Sequence, residues 1–182
     1  LKGAGLTAAG TVIASSGVMT LQGQESAAKG SIGPDAVNLM MKVNGKICQL
    51  SVEPRTTLAE ALREELQLTG TKVGCDRGSC SACTVWLDGM PVLSCMTLTV
   101  EVGTREITTI EGLAKNGNLH PVQEAFIEHD ASQCGFCTPG MIMSAANLLK
   151  ENPNPEPEDV KKATRGNLCR CGTHPNVFTA TM

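Results

Sequence analysis

The sequence has no tyrosine, one tryptophan and three phenylalanines in 182 residues. Any core it builds must therefore be aliphatic and small, and cross-links or bound groups would have to compensate for light packing. A large excess of one charge sign is also missing. The chain carries 15 Lys and Arg against 18 Asp and Glu, a formal net charge of −3. With no basic run and no basic patch studded with aromatics, nucleic-acid binding has little support. Neither a P-loop nor a G-x-G-x-x-G is present, so nothing speaks for nucleotide or flavin binding on this chain. A membrane-spanning helix wants ~20 predominantly apolar residues. The uncharged stretch between Lys2 and Glu25 carries too many small polar residues to qualify.

Cysteine is plentiful. There are nine, and apolar residues make up 41% of the chain, enough for one large domain or two small ones. Cys75, Cys80 and Cys83 are spaced C-x4-C-x2-C, with Cys95 following. Cys134 and Cys137 are spaced C-x2-C, and Cys169 and Cys171 C-x-C. Cys48 is left over. An odd count in a chain of this length argues against a disulfide framework.

Residues 1–36 form an N-terminal tail unlike the rest. Rich in Gly, Ala, Ser and Thr, it reads as the apolar part of an export signal, with a flexible tail as the alternative. Leu1-Lys2 followed by this run resembles the end of a twin-arginine motif whose arginines would precede Leu1. That points to a periplasmic protein, held at the inner membrane if the segment acts as an anchor, with a cytoplasmic location as the alternative. From residue 37 the pattern becomes that of a small α+β domain, 37–112. Asn44-Gly45 and Asp88-Gly89 each predict a hairpin. Thr57, with Glu60 three residues on, predicts a capped helix ending at Gly70. The stretch 105–113 predicts a last strand. Residues 113–182 read as a helical bundle: 120–130 with Pro in its first turn, 138–152 with Met141, Ala145, Leu148 and Leu149 on one stripe, an acidic-to-basic helix after 152, and a fourth after His174.

C-x4-C-x2-C with a distant fourth cysteine is the spacing of plant-type [2Fe–2S] ferredoxins. Two irons bridged by two sulfides need four inward-pointing thiolates, and Gly74 and Gly78 let the backbone curl around them so that its N–H groups face sulfur. Structural zinc more often takes two cysteines from each of two knuckles, which fits this loop less well. The second set is open on spacing alone, since C-x2-C with C-x-C suits zinc as well as a cluster. His120 and His174 precede prolines at helix starts and read as structural, as does His129. Cys48 reads as a buried apolar residue, and Met40, Met41, Met141 and Met143 as core or subunit contact.

Taken together, "GTKVGCDRGSCSACTVWLDG", "QCGFCTPGM" and "RGNLCRCGTHP" resemble the iron–sulfur subunit of the xanthine oxidase family of molybdenum hydroxylases, over roughly residues 38–182. The resemblance implies a ferredoxin-like β-grasp domain followed by a four-helix-bundle domain, each holding one [2Fe–2S] cluster. Cys75, Cys80, Cys83 and Cys95 would bind the first, and Cys134, Cys137, Cys169 and Cys171 the second. It implies a large partner subunit carrying molybdopterin, with Gln133 against the pterin and Cys171 close to it. The chain itself would be non-catalytic and pass electrons to a flavin subunit (FAD), a cytochrome subunit (haem c) or a quinone-linked chain. Exported relatives favour aldehydes as substrates of the whole enzyme, with purines or N-heterocycles as the alternative. From another class, a structural zinc or interaction module remains the rival. The family commonly has glycine where this chain has Ser81; a positive φ there would strain a serine, whereas its hydroxyl could instead bond a cluster sulfur.

Overall fold

Asn44 and Gly45 sit at φ +50° and +78°, the pair of positive values that a tight hairpin turn requires. They join β1 (Val37–Val43) to β2 (Lys46–Val52). Asp88 and Gly89, at +49° and +79°, do the same between β3 (Thr84–Leu87) and β4 (Met90–Leu93). A short β5 (Glu106–Thr108) lies between the hairpins, giving the order β2-β1-β5-β3-β4. β1 pairs with β5 in parallel and every other pairing is antiparallel. This computed structural model describes residues 33–182. The expected export signal lies outside the described residues, apart from positions 33–36. Among the described residues no helix is long and apolar enough to cross a membrane.

One face of the sheet is covered by the first helix. Thr57 accepts from the Glu60 N–H and Glu60 reaches back to the Thr57 N–H, so the predicted capping box is present. The helix starts as α1 (Leu58–Glu60) and widens into a π-helical turn, Ala61–Glu65. It stops well short of the predicted Gly70. The Leu66 N–H bonds back to the Ala61 carbonyl and Gln67 turns to φ +56°, which breaks the ladder. Gly70 answers a different demand: a Cβ there would collide with Ile110 and crowd Glu111. Leu58, Leu62, Met41, Val43, Val85, Val102 and Ile107 form the aliphatic core under this helix.

Two further elements went unpredicted. A 3-10 turn at Ser94–Met96 carries Cys95, and α2 (Thr99–Val102) follows. The predicted strand 105–113 shrinks to β5, because Ile110–Gly112 winds into a 3-10 turn. Gly112 is needed there, since the Asn44 side chain, bonded both ways to Thr109, occupies the space of a Cβ.

The second half holds the four predicted helices: α3 (Pro121–Glu128), α4 (Thr138–Glu151), α5 (Pro157–Thr164) and α6 (His174–Thr181). α4 is the central one. The predicted stripe is too narrow: every residue from Gly140 to Asn147 is buried, while Leu148 and Leu149 are only partly so. The extra faces are covered by the sheet. The lone Trp86 belongs to the helical core; its indole N–H donates to the Met143 carbonyl at 3.0 Å and Lys150 stands 5.8 Å from its ring. Asn147 donates to the Gly89 carbonyl at 2.8 Å. Met143, Asn147 and Lys150 recur at helical spacing, so the β3–β4 hairpin lies along one face of α4. Residues 33–182 thus pack as one compact unit.

Candidate metal centres

One loop and one turn bring the first four sulfurs together. Cys75, Cys80 and Cys83 come from the loop between the first helix and β3, and Cys95 from the 3-10 turn. Cys83 and Cys95 are buried against Ala59 of α1, with Val73 and Leu93 beside them. Cys75 lies close enough to Cys80, and Cys95 to Cys83 and Cys75, for their ionisation to be linked. The loop backbone faces inward: the Ser79 N–H donates to Cys75 Sγ at 3.1 Å. Gly78 sits at φ +72°, and a Cβ on Gly74 would lie 3.2 Å from Cys80 Sγ, so glycine lets the chain approach that sulfur.

The second four come from two helix ends. Cys134 and Cys137 immediately precede α4, with Cys137 as its N-cap. Cys169 and Cys171 lie between α5 and α6. Here the ionisation of Cys137 is linked to Cys169 and Cys134, and that of Cys171 to Cys134 and Cys169. The 167–174 turn is held by the His174 ring against the Asn167 carbonyl at 2.9 Å, and Thr173 Oγ1 lies 3.1 Å from Cys169 Sγ. The two centres are not alike in access. Cys83, Cys95 and Cys137 are buried, whereas Cys134, Cys171 and the neighbouring Gln133 are exposed.

Environment splits the thiols. Bonding from the Arg77 backbone, with that from Ser79 and Cys80, brings Cys75 down to about 7, although burial opposes it. Burial, then the Cys83 contact, pushes Cys95 up to about 11. Burial and Cys169 push Cys137 up to about 12. Burial would raise Cys169 too, but Thr173, Cys137 and the Gly172 N–H bring it down to about 6. The Phe136 backbone, then Cys171, holds Cys134 below the ordinary thiol range. Cys171 is drawn down by the Cys134 backbone but ends raised, because its side-chain bond to Cys134, burial and the neighbouring thiolates outweigh that pull.

In each group the four cysteines lie close enough to influence one another's ionisation. Four cysteines gathered in one place are the donor set of a binuclear cluster. All-thiolate donors, an inward N–H and glycine at the points of closest approach together fit [2Fe–2S].

Several residues near the sulfurs were not singled out from sequence. Asn167 and Leu168 reach the first loop, and the Leu168 N–H donates to the Cys80 carbonyl at 3.1 Å. Phe136 stands over Gly74, its ring edge 3.4 Å from where a Cβ would be. These are contacts between segments far apart in the chain, which no local pattern announces. Ser81 does sit at φ +54°, and its Oγ lies over Gly166, 2.9 Å from the place of a Cβ. Of the two readings of Ser81, the strained backbone is the one observed. Cys48 is half-buried at the edge of the aliphatic core rather than inside it, because β2 is the sheet's edge strand. Met41, Met141 and Met143 are core, but Met40 is exposed. His120 caps α3, its Nδ1 accepting from the Val122 N–H at 3.3 Å.

A two-centre iron–sulfur protein is also what comparison with known sequences returns. The family described as "2Fe-2S iron-sulfur cluster binding domain" matches residues 41–113, and the "[2Fe-2S] binding domain" family matches 109–182. The iron-sulfur-binding subunit PaoA of an aldehyde oxidoreductase from Escherichia coli is 46% identical over 162 residues, 81% of this chain and 71% of that one. The nicotine 6-hydroxylase small subunit of Paenarthrobacter nicotinovorans is 47% identical, covering 81% of this chain and 89% of that one. Among solved structures, quinoline 2-oxidoreductase from Pseudomonas putida 86 superposes with a TM-score of 0.79 at 44% identity, over 81% of this chain and 91% of the matched one. The aldehyde oxidoreductase of Desulfovibrio gigas gives 0.75 at 43% identity, over 80% of this chain and 16% of that one. The chain belongs to the iron–sulfur subunits of the xanthine oxidase family of molybdenum hydroxylases. Its role is electron transfer, not substrate turnover.

Proposed function

We propose that Cys75, Cys80, Cys83 and Cys95, within residues 37–112, hold one [2Fe–2S] cluster, and Cys134, Cys137, Cys169 and Cys171, within 113–182, the other. When bound, such a cluster takes up and releases one electron at a time. The observation that carries the reading is the gathering of eight cysteines into two groups of four, with the Ser79 N–H on Cys75 Sγ, Cys83 and Cys95 buried together, and Cys137 capping α4. The chain's own contribution is to fix the order, spacing and electrostatics of the carriers. Inward N–H groups such as that of Ser79 favour added negative charge.

The exposed face at Gln133, Cys134 and Cys171 meets a large partner subunit, with Gln133 against its molybdopterin. Electrons enter there and leave from the first loop, where Asp76 and Arg77 are exposed. The downstream acceptor is a flavin or cytochrome subunit or a quinone-linked chain. The whole enzyme oxidises aldehydes to carboxylic acids, supported by the likeness to the PaoA subunit. An N-heterocycle hydroxylase is the second reading, supported by the equal likeness to the nicotine 6-hydroxylase subunit. A periplasmic location rests on the N-terminal tail's sequence alone. Metal and acid-labile sulfide analysis of the purified complex tests the cofactor reading: about four iron and four sulfide per chain are expected, and zinc in their place would refute it. Arg77→Glu tests the exit. Reduction of the acceptor is expected to slow while reduction of the clusters by substrate does not; an unchanged acceptor rate would place the exit elsewhere.

A further inference from the structure

We infer that Ser81, gripped by Gly140, Gly166 and Asn167, is a spacer that fixes the separation of the two cluster sites; this rests on the ligand sets proposed above. Ser81 lies between two cysteines of the first group, Cys80 and Cys83. Its carbonyl oxygen takes three donors: the Thr84 N–H at 3.3 Å, Thr84 Oγ1 at 2.8 Å and Asn167 Nδ2 at 3.2 Å. The first two tie it to β3. The third ties it to the loop that carries Cys169 two residues later, and Asn167 is itself buried.

On another side stands the first turn of α4. A Cβ on Gly140 would collide with the Ser81 carbonyl oxygen and lie 3.0 Å from Ala82 Cα. Gly140 follows Cys137 by three residues, so the backbone of a second-site cysteine's own helix turn rests directly on the first-site loop. Gly166 closes the third side against Ser81 Oγ. The left-handed φ of +54° at residue 81 is what lets its carbonyl meet Asn167 and Thr84 together. Each bracing residue is within three positions of a second-site cysteine, and Ser81 is adjacent to a first-site one. Side chains elsewhere can yield by changing rotamer. A backbone carbonyl against a glycine Cα cannot.

Beside the spacer, the Leu168 N–H bond to the Cys80 carbonyl and Phe136 over Gly74 also join the cysteine-bearing ends; further from the sulfurs the interface is of another kind. Trp86 and Gly89 meet Met143, Asn147 and Lys150 further along α4, away from its cysteine-bearing end. Those contacts hold the halves together, while residues 81, 140, 166 and 167, with the Leu168–Cys80 backbone bond beside them, set how far apart the sulfurs lie. Ser81 is thus a positioning residue for electron transfer, which falls steeply with separation.

The test reads distance rather than turnover. Two reduced, paramagnetic clusters split each other's EPR signals by a dipolar coupling that falls with the cube of their separation. Holocomplexes carrying Gly140→Ala, Asn167→Ala and Trp86→Phe are reduced fully and compared with wild type at low temperature. Gly140→Ala is expected to reduce the splitting, and Asn167→Ala to reduce it less, since one donor of three is lost. Trp86→Phe is expected to lower the unfolding temperature with the splitting unchanged. If Gly140→Ala does not assemble, Asn167→Ala, which adds no volume, decides. Splitting unchanged in both spacer variants, or changed as much by Trp86→Phe, overturns the spacer. A wild-type complex with one signal instead of two overturns the ligand sets and the spacer with them.

Discussion

The eight proposed ligand cysteines differ in readiness to bind iron. Cys169, near 6, and Cys75, near 7, are largely thiolates at pH 8, while Cys95, near 11, and Cys137, near 12, are thiols. Ligation needs thiolate, so thiols with raised pKa must release protons on binding. Affinity for the cluster therefore rises with pH below the raised values, by about tenfold per pH unit for each thiol still protonated. Each site holds one thiol raised far above neutrality, Cys95 in the first and Cys137 in the second, so cluster retention at both is expected to improve as the pH rises from about 7 to 9. Cluster retention against a chelator, corrected for the chelator's own titration, measures it; retention that does not change with pH would contradict it. At residue 81, Ser81→Gly relieves a left-handed serine, roughly 1–2 kcal/mol, but gives the unfolded chain about 0.5–1 kcal/mol of extra freedom. A net gain of about 1 kcal/mol or less in unfolding free energy of the apo-chain is expected, read by denaturant titration, and a clear loss would contradict the strain.

Helix ends carry the next level of prediction. His120 caps α3 as a neutral acceptor, and burial, then Lys115, holds its pKa below the ordinary value. The folded value lies below the unfolded one, so this stabilisation is full above about 6.5 and is lost as the pH falls through the folded value. His120→Asn keeps an N-cap acceptor without a titration in that range. Its unfolding temperature is expected to fall less than that of wild type as the pH drops below about 6.5; parallel falls would clear His120 of any role. Thr57→Ala removes half of the capping box at α1 and is expected to cost about 1 kcal/mol by denaturant unfolding. Both hairpins were legible because Asn44-Gly45 and Asp88-Gly89 supply the backbone angles their turns demand. The helix starts were legible from Thr57 and from prolines at 121, 139, 157 and 175. The end of the first helix was not. It closes through a π-turn and a left-handed Gln67, and glutamine carries no mark of either. The short α2 escaped for a like reason, having neither cap nor apolar period.

At the scale of the whole molecule, both cysteine groups could be read from spacing and order, but not their separation. That separation depends on Gly140 and Asn167 meeting Ser81, contacts between residues 59 and 86 positions apart. The breadth of α4's buried surface was hidden in the same way, because the β3–β4 hairpin that covers it comes from the other half of the chain. The exposed faces differ in character. Phe136, Leu168, Cys134 and Cys171 expose apolar and sulfur surface around the second centre, while Asp76 and Arg77 stand out from the first loop. Exposed apolar surface of that kind marks an interaction site. The central claim is that eight named cysteines hold two distinct [2Fe–2S] clusters. EPR of the dithionite-reduced complex at two temperatures tests it most directly, with Cys80→Ser and Cys169→Ser beside wild type. Two rhombic signals of different relaxation are expected in wild type, Cys80→Ser disturbing one and Cys169→Ser the other. A single signal in wild type, or both variants disturbing the same one, would contradict it.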